Sequence, residues 1–156
     1  MLVKLFAEVR KEIPNVRLYI VGAPVREADR AYEQALHQYV TENALTNAVT
    51  FMGAVPNKDL PAIYQKARVC VNLSTTGSLD KTVLEAMACN VPVVTTNEAF
   101  QKVAPSGHYS RRVSDIEQKI IELLQYGSSI NYRHIVIHDH SLPRLIAALV
   151  GKLNSL

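Results

Sequence analysis

Short β-branched runs alternate with amphipathic stretches along almost the whole of this 156-residue chain, and that alternation limits the fold more than any single motif. The runs are Arg17–Gly22 (RLYIVG), Val49–Gly53 (VTFMG), Val69–Leu73 (VCVNL) and Val91–Thr96 (VPVVTT). Strand and helix in strict succession build a mostly parallel sheet, because parallel neighbours need a crossover and a helix is the usual crossover. The expected class is α/β: a three-layer, doubly wound, Rossmann-like domain with a mostly parallel sheet of four to five strands. The length suits one domain over residues 1–156, with a core that needs no staples.

Between the runs lie the helices. Leu2–Ile13 carries Leu2, Leu5, Phe6 and Val9 on one face and stops at Pro14. Ala28–Leu45 is expected to turn Tyr32, Ala35, Leu36, Tyr39 and Val40 inward. Asp59 is the cap candidate for a helix to Ala67 that buries Leu60, Ile63 and Tyr64. A short helix over Glu98–Val103, a weak edge strand near His108–Arg111, and a helix to Tyr126 capped by Ser114 or Asp115 follow. A last helix from Ser141 to Leu153 carries the stripe Leu142, Leu145, Ile146, Leu149, Val150 and Leu153, which reads as core or as a docking face.

The chemistry concentrates where the third strand ends. From Ser74 to Ser78 the chain has no large side chain, so a ligand can approach the backbone closely. The helix that follows is almost wholly apolar through Val83, Leu84, Ala86, Met87 and Ala88, yet it carries Glu85. A buried unpaired carboxylate costs several kcal/mol. Either a partner meets Glu85 or its end of the helix opens onto a cleft. The plainer alternative is an ion pair with Lys81, four residues earlier and in the weaker orientation. In parallel sheets ligands bind beyond the carboxyl ends of the strands. Gly22-Ala23-Pro24 and Gly53-Ala54-Val55 fall at such ends too. A phosphate at the helix start would meet free N–H groups, Lys81 could add charge, and Glu85 could accept from the two hydroxyls of a ribose. The dinucleotide fingerprint and the P-loop pattern are both missing from the sequence, which weakens hydride transfer and nucleotide hydrolysis.

Other features are plainer. The charge of +3 is mild and no basic run with interleaved aromatics points to nucleic acid. Cys70 and Cys89 read as small core residues in a reducing, cytoplasmic setting, and no stretch approaches the length of a transmembrane helix. His134, His138 and His140 with Asp139 read as solvated or capping groups and not as a metal site, and Arg111 and Arg112 as a solvated face.

Four segments together carry a resemblance. Leu18–Gly22, Asn47–Val55, Tyr64–Ala67 and Leu84–Val94, the last containing Glu85-Ala86-Met87-Ala88 and Pro92-Val93-Val94, follow one another at the spacing of a known family. The chain resembles the carboxyl-terminal, donor-binding domain of a family 4 retaining glycosyltransferase with the GT-B fold, well over about residues 2–96 and loosely beyond. The resemblance implies a nucleotide-sugar donor as substrate; no further cofactor and no metal are expected. Glu85 matches the second glutamate of that family's paired-glutamate motif, which binds the donor ribose. The first glutamate falls eight positions earlier, on Gly77, and is missing; Asp80 or Ser78 is the candidate to replace it. Ser78, Leu79 and Asp80 match the turn beside the sugar, Lys81 and Thr82 the helix start facing the diphosphate, and Val55 the residue beside the base. Gly22 ends the strand of another ligand-edge turn. No catalytic residue is assigned.

The resemblance further implies that an amino-terminal acceptor domain and the first strand of the carboxyl-terminal domain lie outside this chain. An acceptor domain or a second copy is the expected partner, with peripheral membrane association in the parent enzyme. Alone, the chain is expected to bind donor weakly and transfer nothing measurable. The family's 3-2-1-4-5-6 strand order would then close up to the flavodoxin-like 2-1-3-4-5, with Arg17–Gly22 beside Val69–Leu73, or else a strand exchanged in an oligomer would fill the gap. Two other readings stay open: a non-catalytic nucleotide-sugar-binding or assembly module, and an unrelated flavodoxin-like domain that binds no nucleotide.

Overall fold

The computed structural model describes residues 2–141, 143, 144 and 146. Its element order is α1 (Leu2–Glu12), β1 (Leu18–Val21), α2 (Glu27–Glu42), β2 (Val49–Gly53), α3 (Leu60–Tyr64), β3 (Cys70–Asn72), α4 (Lys81–Ala88), β4 (Val93–Thr95), a 3-10 turn (Glu98–Phe100), α5 (Val113–Tyr126) and α6 (Tyr132–His140). The chain gathers into two compact units, residues 1–60 and 61–156. None of the helices among the described residues is long and apolar enough to cross a membrane.

All four strands are parallel to their neighbours, as the alternation requires. They pair as β1 with β2 and β3 with β4, in two two-stranded sheets. The expected closure to a 2-1-3-4-5 order is therefore not formed: among the described residues β1 pairs only with β2. Apolar content marks a strand but not its neighbour, which is why the pairing could not be read.

In the first unit Val3 and Phe6 of α1 pack with Val40, Leu45, Ala48 and Val49. Leu18 and Ile20 of β1 lean on that cluster, whereas Tyr19, Val21 and Met52 are exposed. Helix α2 differs from expectation. Val40 is buried and Leu36 and Tyr39 pack half-buried on the core as expected, but Tyr32 and Ala35 face solvent, because the core meets only the second half of the helix. The helix also stops at Glu42. Ala44 takes a left-handed φ of 53°, Ala44 N–H donates to Thr41 and Leu45 N–H to Val40, closing a Schellman turn on a residue that gives no sequence warning.

In the second unit Val83, Ala86 and Met87 of α4 pack with Val91, Val93, Phe100 and Tyr132. Helix α4 ends on a second Schellman turn, with Asn90 at φ 61° and Val91 N–H donating to Ala86 at 3.0 Å. Asn90 Oδ1 also accepts from Arg133 N–H at 3.3 Å, which ties this end to the start of α6. Helix α6 was not expected. It starts on Asn131, whose side chain accepts from His134 N–H, and ends at Ser141, where a helix start was expected. Of the stripe assigned to the last helix, Leu142, Leu145, Leu149, Val150 and Leu153 lie outside the described residues, and Ile146 is exposed. The short helix after Asn97 and the edge contact are present: Thr95 bridges in parallel to Tyr109. Neither Ser114 nor Asp115 caps α5 by side chain; Asp115 instead accepts from Ser110 Oγ at 2.7 Å and from Arg112.

Val93 C=O accepts from His108 Nδ1 at 2.7 Å, and Nε2 lies 3.4 Å from the Tyr132 hydroxyl, with the ring 1 % exposed. Burial holds its pKa below the ordinary histidine value, against the backbone hydrogen bond that raises it; Lys119 lowers it further and Glu122 raises it. The unfolded chain then binds a proton that the folded chain refuses, so stability is full above pH ~6.5 and falls as pH drops through that value. The expected slope from this group approaches ~1.4 kcal/mol per pH unit between pH ~6.5 and its lowered native value. Urea titrations at pH 7.5 and 5.0 should show it, and His108→Gln should flatten it; an equal acid loss in that variant assigns the effect elsewhere.

Candidate functional site

The turn between β3 and α4 is held from behind by one buried asparagine. Asn97 has no exposed surface and caps the 3-10 turn, its Oδ1 accepting from Ala99 N–H at 3.0 Å. Its Nδ2 donates to Ser78 C=O at 2.8 Å and to Asp80 Oδ2 at 3.0 Å. Asn72 Nδ2 reaches the same Oδ2 at 3.1 Å, and Asn72 Oδ1 accepts from Thr95 Oγ1 at 2.9 Å. Thr96 Oγ1 donates to Ser74 C=O at 3.2 Å. The ends of β3 and β4 thus grip the turn at Ser74, Ser78 and Asp80. Neither Asn72 nor Asn97 was singled out in the sequence, since such bonds span 8 to 23 residues and leave no periodic trace.

Asp80 is occupied by this scaffold. Burial raises its pKa, but hydrogen bonds from Asn97, Ser74, Asn72 and Thr76 outweigh burial and hold it below the usual carboxylate range. Its side chain makes no capping bond to α4. The leading N–H groups of α4 are therefore not capped by the residue placed to do so. Lys81 and Thr82 at that end are exposed, as are Thr75 to Leu79. Gly77 sits in the left-handed region at φ 70°, where a side chain would be strained.

Glu85 lies one turn in, half-buried and 28 % exposed at its side chain. Both oxygens have neighbours: Lys81 Nζ at 3.2 Å from Oε1, and the Tyr64 hydroxyl donating to Oε2 at 3.3 Å. The plainer alternative, the Lys81 pair, is thus formed. It does not seal the acid, because Lys81 is 75 % exposed and such a pair contributes only ~0.3–0.5 kcal/mol. The face of α4 opposite Glu85 is buried through Val83, Ala86 and Met87, while Leu84, Ala88 and Cys89 are half-buried. Tyr64 is pushed well above the ordinary phenol range by burial first, then by Cys70 and Glu85. Burial likewise raises Cys70 to about 11, so it is a neutral thiol and no nucleophile at neutral pH.

Gly22 and Val55 belong to the first unit. Gly22 ends β1, its N–H donating to Gly53 C=O at 2.9 Å. It lines a groove of about 300 Å³ together with Ile20, Pro24, Tyr32, Leu36 and Phe51. Val55 is half-buried just after β2. The remaining predicted positions, Gly77 to Thr82 and Glu85, are gathered on one turn and one helix of the second unit. The histidines of α6 form no metal cluster among the described residues; His138 Nδ1 lies 2.7 Å from Asp139.

The parallel α/β architecture is that of a GT-B glycosyltransferase domain. It superposes on HepE of Anabaena in complex with UDP with a TM-score of 0.79 at 21 % identity, over 98 % of this chain and 45 % of that one. A HepE structure with UDP-glucose gives 0.77, and sucrose-phosphate synthase of Thermosynechococcus elongatus 0.76 at 24 % identity and 41 % of its chain. The chain belongs to the family described as glycosyl transferases group 1, which it matches over residues 1–126. It is 37 % identical over 104 residues to O-antigen chain mannosyltransferase B of Escherichia coli, covering 66 % of this chain and 27 % of that protein. It is 26 % identical over 128 residues to alpha-monoglucosyldiacylglycerol synthase of Acholeplasma laidlawii, covering 80 % of this chain and 31 % of that protein. The chain spans about a third or less of these relatives' length.

Proposed function

We propose that this chain is the donor-binding half of a nucleotide-sugar-dependent, retaining hexosyltransferase of family 4, and that it transfers nothing measurable alone. The observation that carries the reading is Glu85, an acid kept half-open on a helix whose other face is buried through Val83, Ala86 and Met87, one turn beyond a helix start that its own N-cap residue leaves uncapped. An anion at that start gains from the N–H groups and the positive helix end. Lys81 can turn from Glu85 to the diphosphate at small cost, and Glu85 then accepts from the ribose hydroxyls. Ser78, Leu79 and Asp80 line the sugar end, the last through its backbone. The roles of Gly22 and Val55 rest on the family resemblance alone. HepE, crystallised with UDP and UDP-glucose, is consistent with this donor class. Transfer requires an acceptor held face to face with the donor, and most of the rate comes from that positioning. A second reading, a non-catalytic nucleotide-sugar-binding module, is favoured by Gly77, which offers no carboxylate where the family carries one.

Titration of the chain with UDP, GDP and ADP and their hexose conjugates, read by melting temperature, tests the reading. One nucleotide series should stabilise it by ~2.7 kcal/mol at a hundred times its Kd. No shift with any series overturns both readings. Robust hexosyl transfer by the purified chain overturns the inactivity alone.

A further inference from the structure

We propose that Glu98, exposed beside the Gly77 turn, reads the hydroxyls of the transferred sugar; this rests on the nucleotide-sugar reading above. A Cβ built on Gly77 would have Glu98 Oε1 at 3.8 Å as its neighbour. The carboxylate therefore stands beside the bare backbone at the crest of the turn, with room for one Cβ between them, so a ligand hydroxyl reaches Oε1 from the solvent side of the turn. Among the described residues only one of its oxygens is engaged: Arg111 Nη2 donates to Oε2 at 2.7 Å, and Arg111 Nε donates to the Tyr109 hydroxyl at 3.2 Å. Oε1 accepts no hydrogen bond among the described residues.

The spacing is fixed by shared anchors. Asn97, adjacent to Glu98 in sequence, holds Ser78 C=O and Asp80, and Phe100, two residues on, has no exposed surface. The turn and the carboxylate are thus hung from the same buried residues. Stability does not explain the pair. Its partners are 75 % and 57 % exposed, and pairs of that kind contribute little.

Charge sets what can sit there. A free carboxylate oxygen repels a diphosphate, so the anionic part of a ligand stays at the Lys81 end of the turn. A neutral polyol can approach Glu98, and a carboxylate accepts from two vicinal hydroxyls at once. Asp80 is less suited to this part, since its carboxylate is drawn into the turn by Asn72 and Asn97 on Oδ2 and by Thr76 on Oδ1.

Calorimetric titration of the 156-residue chain with UDP and UDP-glucose, and with GDP and GDP-mannose, tests the assignment. In Glu98→Ala the ratio of nucleotide-sugar to nucleotide affinity should fall about tenfold or more for the series that binds, and Glu98→Gln should fall between the two. Arg111→Ala, which frees the carboxylate from its anchor, should lower the same ratio less. An unchanged ratio in Glu98→Ala overturns the assignment of Glu98 and leaves the nucleotide site standing. Parallel loss of both affinities makes Glu98 structural and also overturns it. Failure of the unmodified chain to bind either nucleotide removes the nucleotide-sugar reading, and this inference with it.

Discussion

Asn97→Ala is expected to cost about 2–4 kcal/mol of folding stability and to weaken donor binding at least tenfold. Asn97 has no exposed surface, and its amide joins the 3-10 turn to Ser78 and Asp80. Alanine removes both sides of that bridge. Ser78 C=O and Ala99 N–H lose their partners, and each such group costs about 1–3 kcal/mol when water does not replace the bond. Asp80 keeps Asn72 and Thr76, so it stays ionised but less firmly placed. Urea unfolding gives the stability and titration the affinity. A loss under about 1 kcal/mol would mean that the turn holds its shape without the asparagine.

Glu85→Ala is expected to abolish nucleotide-sugar binding at a stability cost below about 1 kcal/mol. The protein partners of Glu85 are an exposed lysine and a long hydrogen bond from Tyr64, and neither contributes much. Two hydrogen bonds from ribose to a carboxylate contribute about 1.5–3 kcal/mol each. A variant that unfolds readily would make Glu85 a structural acid. A variant that folds and binds as before would remove it from the site.

How much of this was legible depends on the range of the interaction. The strand–helix alternation, the apolar α4 with its single acid and the run from Glu85 to Val94 are local patterns, and they led to the fold class and the family. The partnering of β1 with β2 and of β3 with β4 was not local, and the expected closure failed there. Helix α6 escaped because its apolar side is thin: Tyr132 is its only buried residue, and an asparagine cap and packing on α4 hold it. Ala44 escaped because alanine rarely adopts the left-handed turn that ends α2. The scaffold of Asn72, Thr95 and Asn97 escaped because each residue alone looks like a loop residue. Gly77 was legible as a vacancy, whereas the carboxylate of Glu98 across from it became visible only in three dimensions.

Glu85 is proposed to grip the ribose of a nucleotide. The most direct test compares the Kd of the preferred ribonucleoside diphosphate with that of its 2′-deoxy counterpart, in the unmodified chain and in Glu85→Gln. Loss of the 2′-hydroxyl should weaken binding about tenfold or more in the unmodified chain, and Glu85→Gln should remove most of that difference. Equal affinity for the two nucleotides in the unmodified chain, or an undiminished preference in Glu85→Gln, would contradict it.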